Sequence, residues 1–368
     1  MMALTKIRHL GVTGAHTLYS LTHSATRIME CRKDIRSLVP DATAHLANIM
    51  AADTVDLALK RAEEEYEYDE QHHIQRLCLD DAGYPQLLRE CSDAPLVLYY
   101  LGSADLNARH IVSIVGTRHI TPYGQDICRD FIAGLHEALP DTLVVSGLAY
   151  GVDIHAHRAS LAQDIPTVGV LAHGLDTIYP ALHRDTAAHM VQQGGLLTEY
   201  MSCTRPDKGN FVRRNRIVAG MAHATVVVES AEKGGSLITA RLAGDYERTV
   251  CAFPGRATDP YSKGCNHLIH SLQAQAVTSV GDFLDTMGWA DMRDRAGKDT
   301  QLELFPVLSE TEQVVCRQLE GTDDVSVNQL TQSTGLPFSL VSATLYDLEE
   351  KGIVRMVGGN RYQAVRHL

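Results

Sequence analysis

The chain has 368 residues, of which 45% are hydrophobic and 21% charged, and a formal net charge of -12. That length admits two or three domains of ordinary globular composition. The acidic balance excludes a protein that coats nucleic acid through overall charge, so any such contact must come from a local patch. The first residues lack the apolar core of a signal peptide, and no apolar run is long enough to cross a bilayer, so no membrane association is expected. The 8 cysteines are scattered with no CxxC pair, which predicts reduced thiols in a cytoplasmic protein, with neither a disulfide frame nor a zinc site.

Residues 1–80 read as a small helical domain, SAM-like or helix-hairpin-helix-like, with a Gly-Val-Thr-Gly turn and no strand. The run Glu63-Glu64-Glu65 is a solvated helix face. From residue 83 to 290 the pattern changes. IVSIVG, TLVVSG, TVGVLA, LLTEY, TVVVES, VCAFPG and AVTSV are short apolar strands, each followed by a helical stretch. Regular βα alternation predicts an α/β fold: a doubly wound, mainly parallel sheet covered on both faces by helices. Residues 291–306 are polar and read as a linker. Residues 307–368 fit a winged helix, with three helices and a hairpin turning at Gly358-Gly359-Asn360. Its third helix carries Asp347, Glu349 and Glu350 against Lys351, a balance that suits a protein partner at least as well as a DNA groove.

The stretch from Lys208 to Arg216 is the chemical focus. It sets Lys208, Arg213, Arg214 and Arg216 around Phe211, with Gly209, Asn210 and Asn215 between them. Cations at that density call for an anion such as a phosphate backbone, and Phe211 is either a platform for a base or a plug in the core. The segment reads as a loop leading to a helix that begins near Arg214, with Asn215 capping that helix or contacting the ligand. One of Arg214 and Arg216 should face the ligand while the other anchors the loop to Glu199 or Glu229. Glycine turns follow nearly every strand: Gly116-Thr117-Arg118, Ser146-Gly147 and Gly234-Gly235-Ser236 are the ones expected to cradle phosphates. Arg118 can grip a phosphate bidentately or bridge to a neighbouring acid. Asp153, His155 and His157 resemble metal ligands in spacing, but the two histidines point apart on a helix that Asp153 should cap, so no metal is expected. Ser236 lacks the G-x-S-x-G context of a nucleophile, and neither a dinucleotide fingerprint nor a Walker A sequence is present, so neither a catalytic residue nor a cofactor is expected.

Taken together, VGTRHITPYG, SGLAYGVDIHAH, VLAHGLDTIYP, GGLLTEY, FVRRNRIVAG, VVVESAEKGGSLITARLA and FPGRATDPYSKGCNHLI resemble, in order and spacing, the DprA/Smf family (DNA processing protein A). The resemblance covers about residues 83–275. It implies an extended Rossmann-like fold and a non-enzymatic protein that binds single-stranded DNA. It further implies a homodimer and a mediator that protects incoming DNA and helps load RecA recombinase during natural transformation. By motif position the family's pocket arginine falls on Arg118, its lysine on Lys208, its stacking aromatic on Phe211, and its R-N-R on Arg214, Asn215 and Arg216. Many members have proline where this chain has Val212, and Gly234 stands where a serine is common. Two other readings remain: a nucleotide or nucleoside-monophosphate hydrolase using Glu199 or Glu229, and a regulator that binds duplex DNA through the winged helix.

Overall fold

The computed structural model describes residues 1–289, 308–319, 325–351, 353–356 and 361–364. The expected linker and the Gly358-Gly359-Asn360 turn lie outside them. The chain divides into two compact units, Met1–Arg293 and Asp294–Leu368.

The first unit is built on nine strands: β1 (Gln75–Cys78), β2 (Val97–Gly102), β3 (His110–Val115), β4 (Thr142–Ser146), β5 (Thr167–Val170), β6 (Gly195–Thr198), β7 (Ala224–Val227), β8 (Thr249–Ala252) and β9 (Gln275–Ala276). Their order across the sheet is β1-β2-β6-β5-β4-β3-β7-β8-β9. From β6 to β9 all neighbours run parallel, and β1 and β2 form an antiparallel edge. Every residue of β3 and β4 is buried, because helices cover both faces, so apolar side chains occupy both faces rather than alternating with solvated ones, and Ser113 and Ser146 are buried with them. The chain winds outward from β3 to β6 and then returns to place β7 beside β3. The carboxyl ends of β3 and β7 therefore flank the switch point at which open α/β sheets hold ligands.

β1 corrects the expectation that residues 1–80 contain no strand. It is four residues long, half-exposed and without alternation, so its strand state comes from pairing with β2 rather than from its own pattern. The N-terminal helices share one continuous buried cluster with the sheet, running from Leu4, Ile28, Met50 and Val55 to Leu98 and Ile111. Asp69 and Glu65, on the Thr54–Gln71 helix, are both buried in this region, which corrects the expectation that the Glu63-Glu64-Glu65 run is wholly solvated, and Arg76 Nη1 lies 3.7 Å from the Asp69 carboxylate. Burial, aided by Glu65 one turn earlier, pushes the Asp69 carboxyl up to about 7, with Arg76 pulling the other way. An unfolded chain releases this proton near pH 4, so between about pH 4 and about pH 7 the folded state keeps a proton that the unfolded state has lost. Stability from this group therefore falls as pH rises through that window. Asp69→Asn should flatten the fall and raise the melting temperature at about pH 8 but not at about pH 4, as read by thermal melts at both. A parallel loss at both would contradict it.

The second unit has helices Glu310–Leu319, Val327–Thr334 and Phe338–Glu350, and a three-stranded antiparallel sheet of β10 (Val325–Ser326), β11 (Val354–Met356) and β12 (Arg361–Ala364), with β12 central. Val315, Leu330, Val341, Leu345 and Leu348 fill its core. Ser326 and Gln329 form a reciprocal cap on the second helix, and Lys351 pairs with Glu312 at 2.6 Å. Among the described residues, no helix is long and apolar enough to cross a membrane.

Candidate nucleic-acid interface

The turn after β3 is held tightly. The Thr117 N–H donates to the Glu229 carbonyl (2.7 Å), and the Thr117 carbonyl accepts from the Val152 N–H (3.1 Å). A Cβ on Gly116 would collide with the Val152 side chain and the Glu229 carbonyl. Gly151 has φ +76°, and a Cβ there would run into the Thr117 carbonyl and the Arg118 backbone. Gly151→Ala should cost about 1–3 kcal/mol by urea unfolding and displace Arg118, weakening any ligand held there. Unchanged stability would show that the turn is looser than its contacts indicate. Just beyond, Thr121 caps the Pro122–Ala138 helix. Its N–H and hydroxyl both donate to the buried carboxylate of Glu229, at 2.9 and 2.6 Å.

The basic stretch is not a loop. Asp207 caps a helix that runs from Lys208 to Gly220, its side chain accepting from the Gly209 N–H at 2.8 Å. The helix start is thus six residues earlier than Arg214, and Asn215 lies in its interior rather than at a cap. Helical periodicity then sorts the cations. Lys208, Phe211 and Asn215 follow i, i+3, i+7 spacing and share one face. Arg214 points inward: it is 3% exposed, and its guanidinium donates to the carbonyls of Gly147 (2.6 Å) and Val170 and to Asn215 Oδ1 (3.3 Å). Arg216 is buried at a separate place, paired with Glu199 at 2.5 Å and donating to the Asp93 carbonyl.

Two of the expected ligand contacts are therefore corrected. Arg216 is consumed by Glu199 and does not line the site. Ser146 is fully buried inside the sheet, its hydroxyl donating to the Ile114 carbonyl at 2.6 Å. Arg214 reaches the site only as its floor. Asp153 also differs from expectation: Gly151, not Asp153, precedes the Val152–Ala162 helix, and the Asp153 carboxylate accepts the N–H groups of Gly147 (3.2 Å) and Ala149 (3.3 Å). Burial pushes the Asp153 carboxyl up, while Arg214 and those N–H groups pull it down; burial likewise lowers Arg214, and Asp153 offsets it. His155 and His157 have separate partners, the Gly151 carbonyl and Thr167 Oγ1, and burial drives the His157 pKa down to about 3.

A cavity of about 260 Å³ opens at the switch point. Gly116, Thr117 and Arg118 form one wall, Gly147 and Arg214 the floor, Phe211 and Asn215 a second wall, and Gly234, Gly235 and Ser236 a third. Ser236 opens the Ser236–Asp245 helix, so the positive end of a helix dipole faces the cavity, and its hydroxyl donates to Ser230 Oγ at 2.9 Å. The Arg118 guanidinium lies 5.6 Å above the centroid of the Phe211 ring. Gly209, Asn210 and Arg213 lie with Lys208 on the first two turns of the Lys208–Gly220 helix, outside the cavity lining. Arg118, Lys208 and Arg213 are exposed, and among the described residues none of them makes an ion pair. A roomier hollow of about 590 Å³ beside Tyr123, Pro254, Arg256 and Asp259 has no such stacked pair, so volume alone does not mark the site.

One aromatic escaped the sequence reading. Tyr179, half-exposed in the loop after β5, sets its ring 5.7 Å from Phe211 at 53°. His173 holds this loop, its Nε2 accepting the Tyr179 N–H at 3.3 Å. The only signal in the chain was the Y-P pair within VLAHGLDTIYP, which does not say where the ring goes.

Known proteins resemble this chain in sequence and in fold. The family described as DNA recombination-mediator protein A matches residues 75–288. A relative from Mycobacterium tuberculosis, described as a DNA processing protein DprA, is 36% identical over 319 residues, which cover 86% of this chain and 80% of that one. Among solved structures, the DNA processing protein A of Streptococcus pneumoniae superposes with a TM-score of 0.59 at 30% identity, covering 74% of this chain and 97% of that one. The DNA processing protein A of Helicobacter pylori, solved for its single-stranded DNA binding mode, superposes with a TM-score of 0.53 at 31% identity, covering 58% of this chain and 96% of its own. With its matched span running from the edge strand β1 to the last helix of the first unit, this chain belongs to the DprA/Smf family of DNA recombination-mediator proteins.

Proposed function

We propose that this protein binds single-stranded DNA in the Arg118–Phe211 cleft and acts as a recombination mediator. The observation that carries this reading is the exposed Arg118 guanidinium, without an ion pair among the described residues, stacked over Phe211 at the mouth of a glycine-walled cavity. The aromatic rings of Phe211 and Tyr179 offer π-faces to a splayed base, which every base can use, so sequence preference is small. Arg118, Lys208 and Arg213 supply the phosphate charge that the acidic remainder lacks, and the glycine turns and the Ser236 helix end supply N–H groups. A duplex hides its bases and should bind more weakly. The single-stranded DNA binding mode for which the Helicobacter pylori relative was solved supports the same reading here.

Two candidate catalytic carboxylates are otherwise engaged. Glu229 accepts both Thr121 donors, and Glu199 pairs with Arg216. This favours a binding role over hydrolysis of nucleotides. Handing DNA to RecA, assembly as a homodimer and a cytoplasmic setting complete the proposal. We read the second unit as a winged helix whose exposed Asp347 and Glu349 suit a protein surface better than a DNA groove. A titration of labelled oligo-dT, matched duplex and free nucleotides tests the reading. Tight oligo-dT binding, weaker duplex binding and no nucleotide turnover are expected. Release of base or phosphate that disappears in Glu229→Gln would replace it with the hydrolase.

A further inference from the structure

We propose that the bound strand does not end in the Phe211 cleft but continues past Arg118 into a second groove, a subsite for the next nucleotide. This rests on the reading that the Phe211 cleft holds single-stranded DNA. The groove measures about 500 Å³, and Arg118 belongs to the linings of both hollows, so the two are contiguous through one side chain. The argument uses His119, Tyr150, His155, Arg158, Leu182 and His183 of its lining. Its charge is one-signed: two arginines, with no carboxylate among its lining. In a chain of net charge -12 such a surface is out of balance with its surroundings unless an anion answers it.

Two further features select a nucleotide over a bare anion. Tyr150 is 45% exposed and Leu182 75% exposed, so the groove carries apolar surface beside its cations. The Tyr150 ring stands edge-on to His183, with centroids 5.1 Å apart at 72°, and His183 is itself fixed by a bond to the Leu148 carbonyl at 2.9 Å. Tyr150 is thereby a positioned ring with an open face, as a base platform requires. Arg158 spends its Nε on Thr186 Oγ1 at 3.3 Å, and among the described residues its guanidinium makes no ion pair, which leaves its terminal nitrogens for a phosphate. The start of the Val152–Ala162 helix, at Gly151, borders the same groove and adds the positive end of its dipole.

The test compares a labelled single nucleotide, dTMP, with oligo-dT of about 15 nucleotides by fluorescence anisotropy at two salt concentrations. Arg158→Ala and Tyr150→Ala should each weaken the oligomer about five- to tenfold and leave dTMP unchanged. Arg158→Ala should also lower the salt slope of the oligomer by about one. Phe211→Ala should weaken both ligands. If the oligomer binds Arg158→Ala and Tyr150→Ala as it binds the parent while Phe211→Ala still weakens both ligands, the second groove is refuted and the cleft stands. If Phe211→Ala changes neither ligand, the cleft reading falls and this inference falls with it. Both groove side chains are exposed, and unchanged thermal melts would show that any loss is a loss of contact rather than of fold.

Discussion

An Arg214→Ala variant is expected to melt well below the parent protein and to lose oligo-dT binding along with its fold. The guanidinium lies beneath the cleft, joining the turn after β4 to the end of β5 through the carbonyls of Gly147 and Val170. Its charge also offsets the buried carboxylate of Asp153. Removing it strands two carbonyls and one buried acid, a loss of about 3–5 kcal/mol. In a unit of this size that is a drop of roughly 10 °C in melting temperature. Lysine should not rescue it fully, because one ammonium cannot reproduce both the Nη1 bonds to the two carbonyls and the Nε bond to Asn215 Oδ1. Gly147→Ala should fail in the same way, since its new Cβ would occupy the guanidinium's place. A melt within a degree or so of the parent would instead make Arg214 a ligand contact, contrary to its burial.

Phe211→Ala and Arg118→Ala should give the largest losses of binding without loss of fold, since Arg118 is exposed and Phe211 is only half-buried. Truncating the ring removes a stacking partner worth about 1–3 kcal/mol, a loss of roughly five- to 150-fold in affinity. The salt slope should stay as it was, because stacking releases no counterion. Arg118→Ala should weaken binding by a similar factor and lower the slope by about one. The two side chains touch, so the double variant should lose less than the sum of the singles. Fully additive losses would mean that cation and ring act on different parts of the ligand.

The parallel sheet was legible because the run from β3 to β8 is apolar on both faces and punctuated by glycine, a pattern with few other solutions. β1 was not, since four half-exposed residues acquire a strand state only from the neighbour they pair with. Within the site, residue type marked Arg118, Lys208 and Phe211, but charge alone does not distinguish a cation that waits for a ligand from one already used. The reading that the Lys208–Arg216 stretch is a loop hid the periodicity that turns Arg214 inward and sends Arg216 to Glu199. Ser146 was misjudged because a serine closing a buried strand reads like one opening a turn. Tyr179 reaches Phe211 through a loop path that no local pattern encodes.

The most direct measurement places 2-aminopurine, a base whose fluorescence falls on stacking, at successive positions of an oligo-dT and records its emission on binding. The parent protein should quench the probe at one or more positions, and Phe211→Ala should abolish the quenching at one of them even at concentrations that restore full binding. Equal emission with parent and variant at every position would mean that no base lies on Phe211, and the cleft would lose its role.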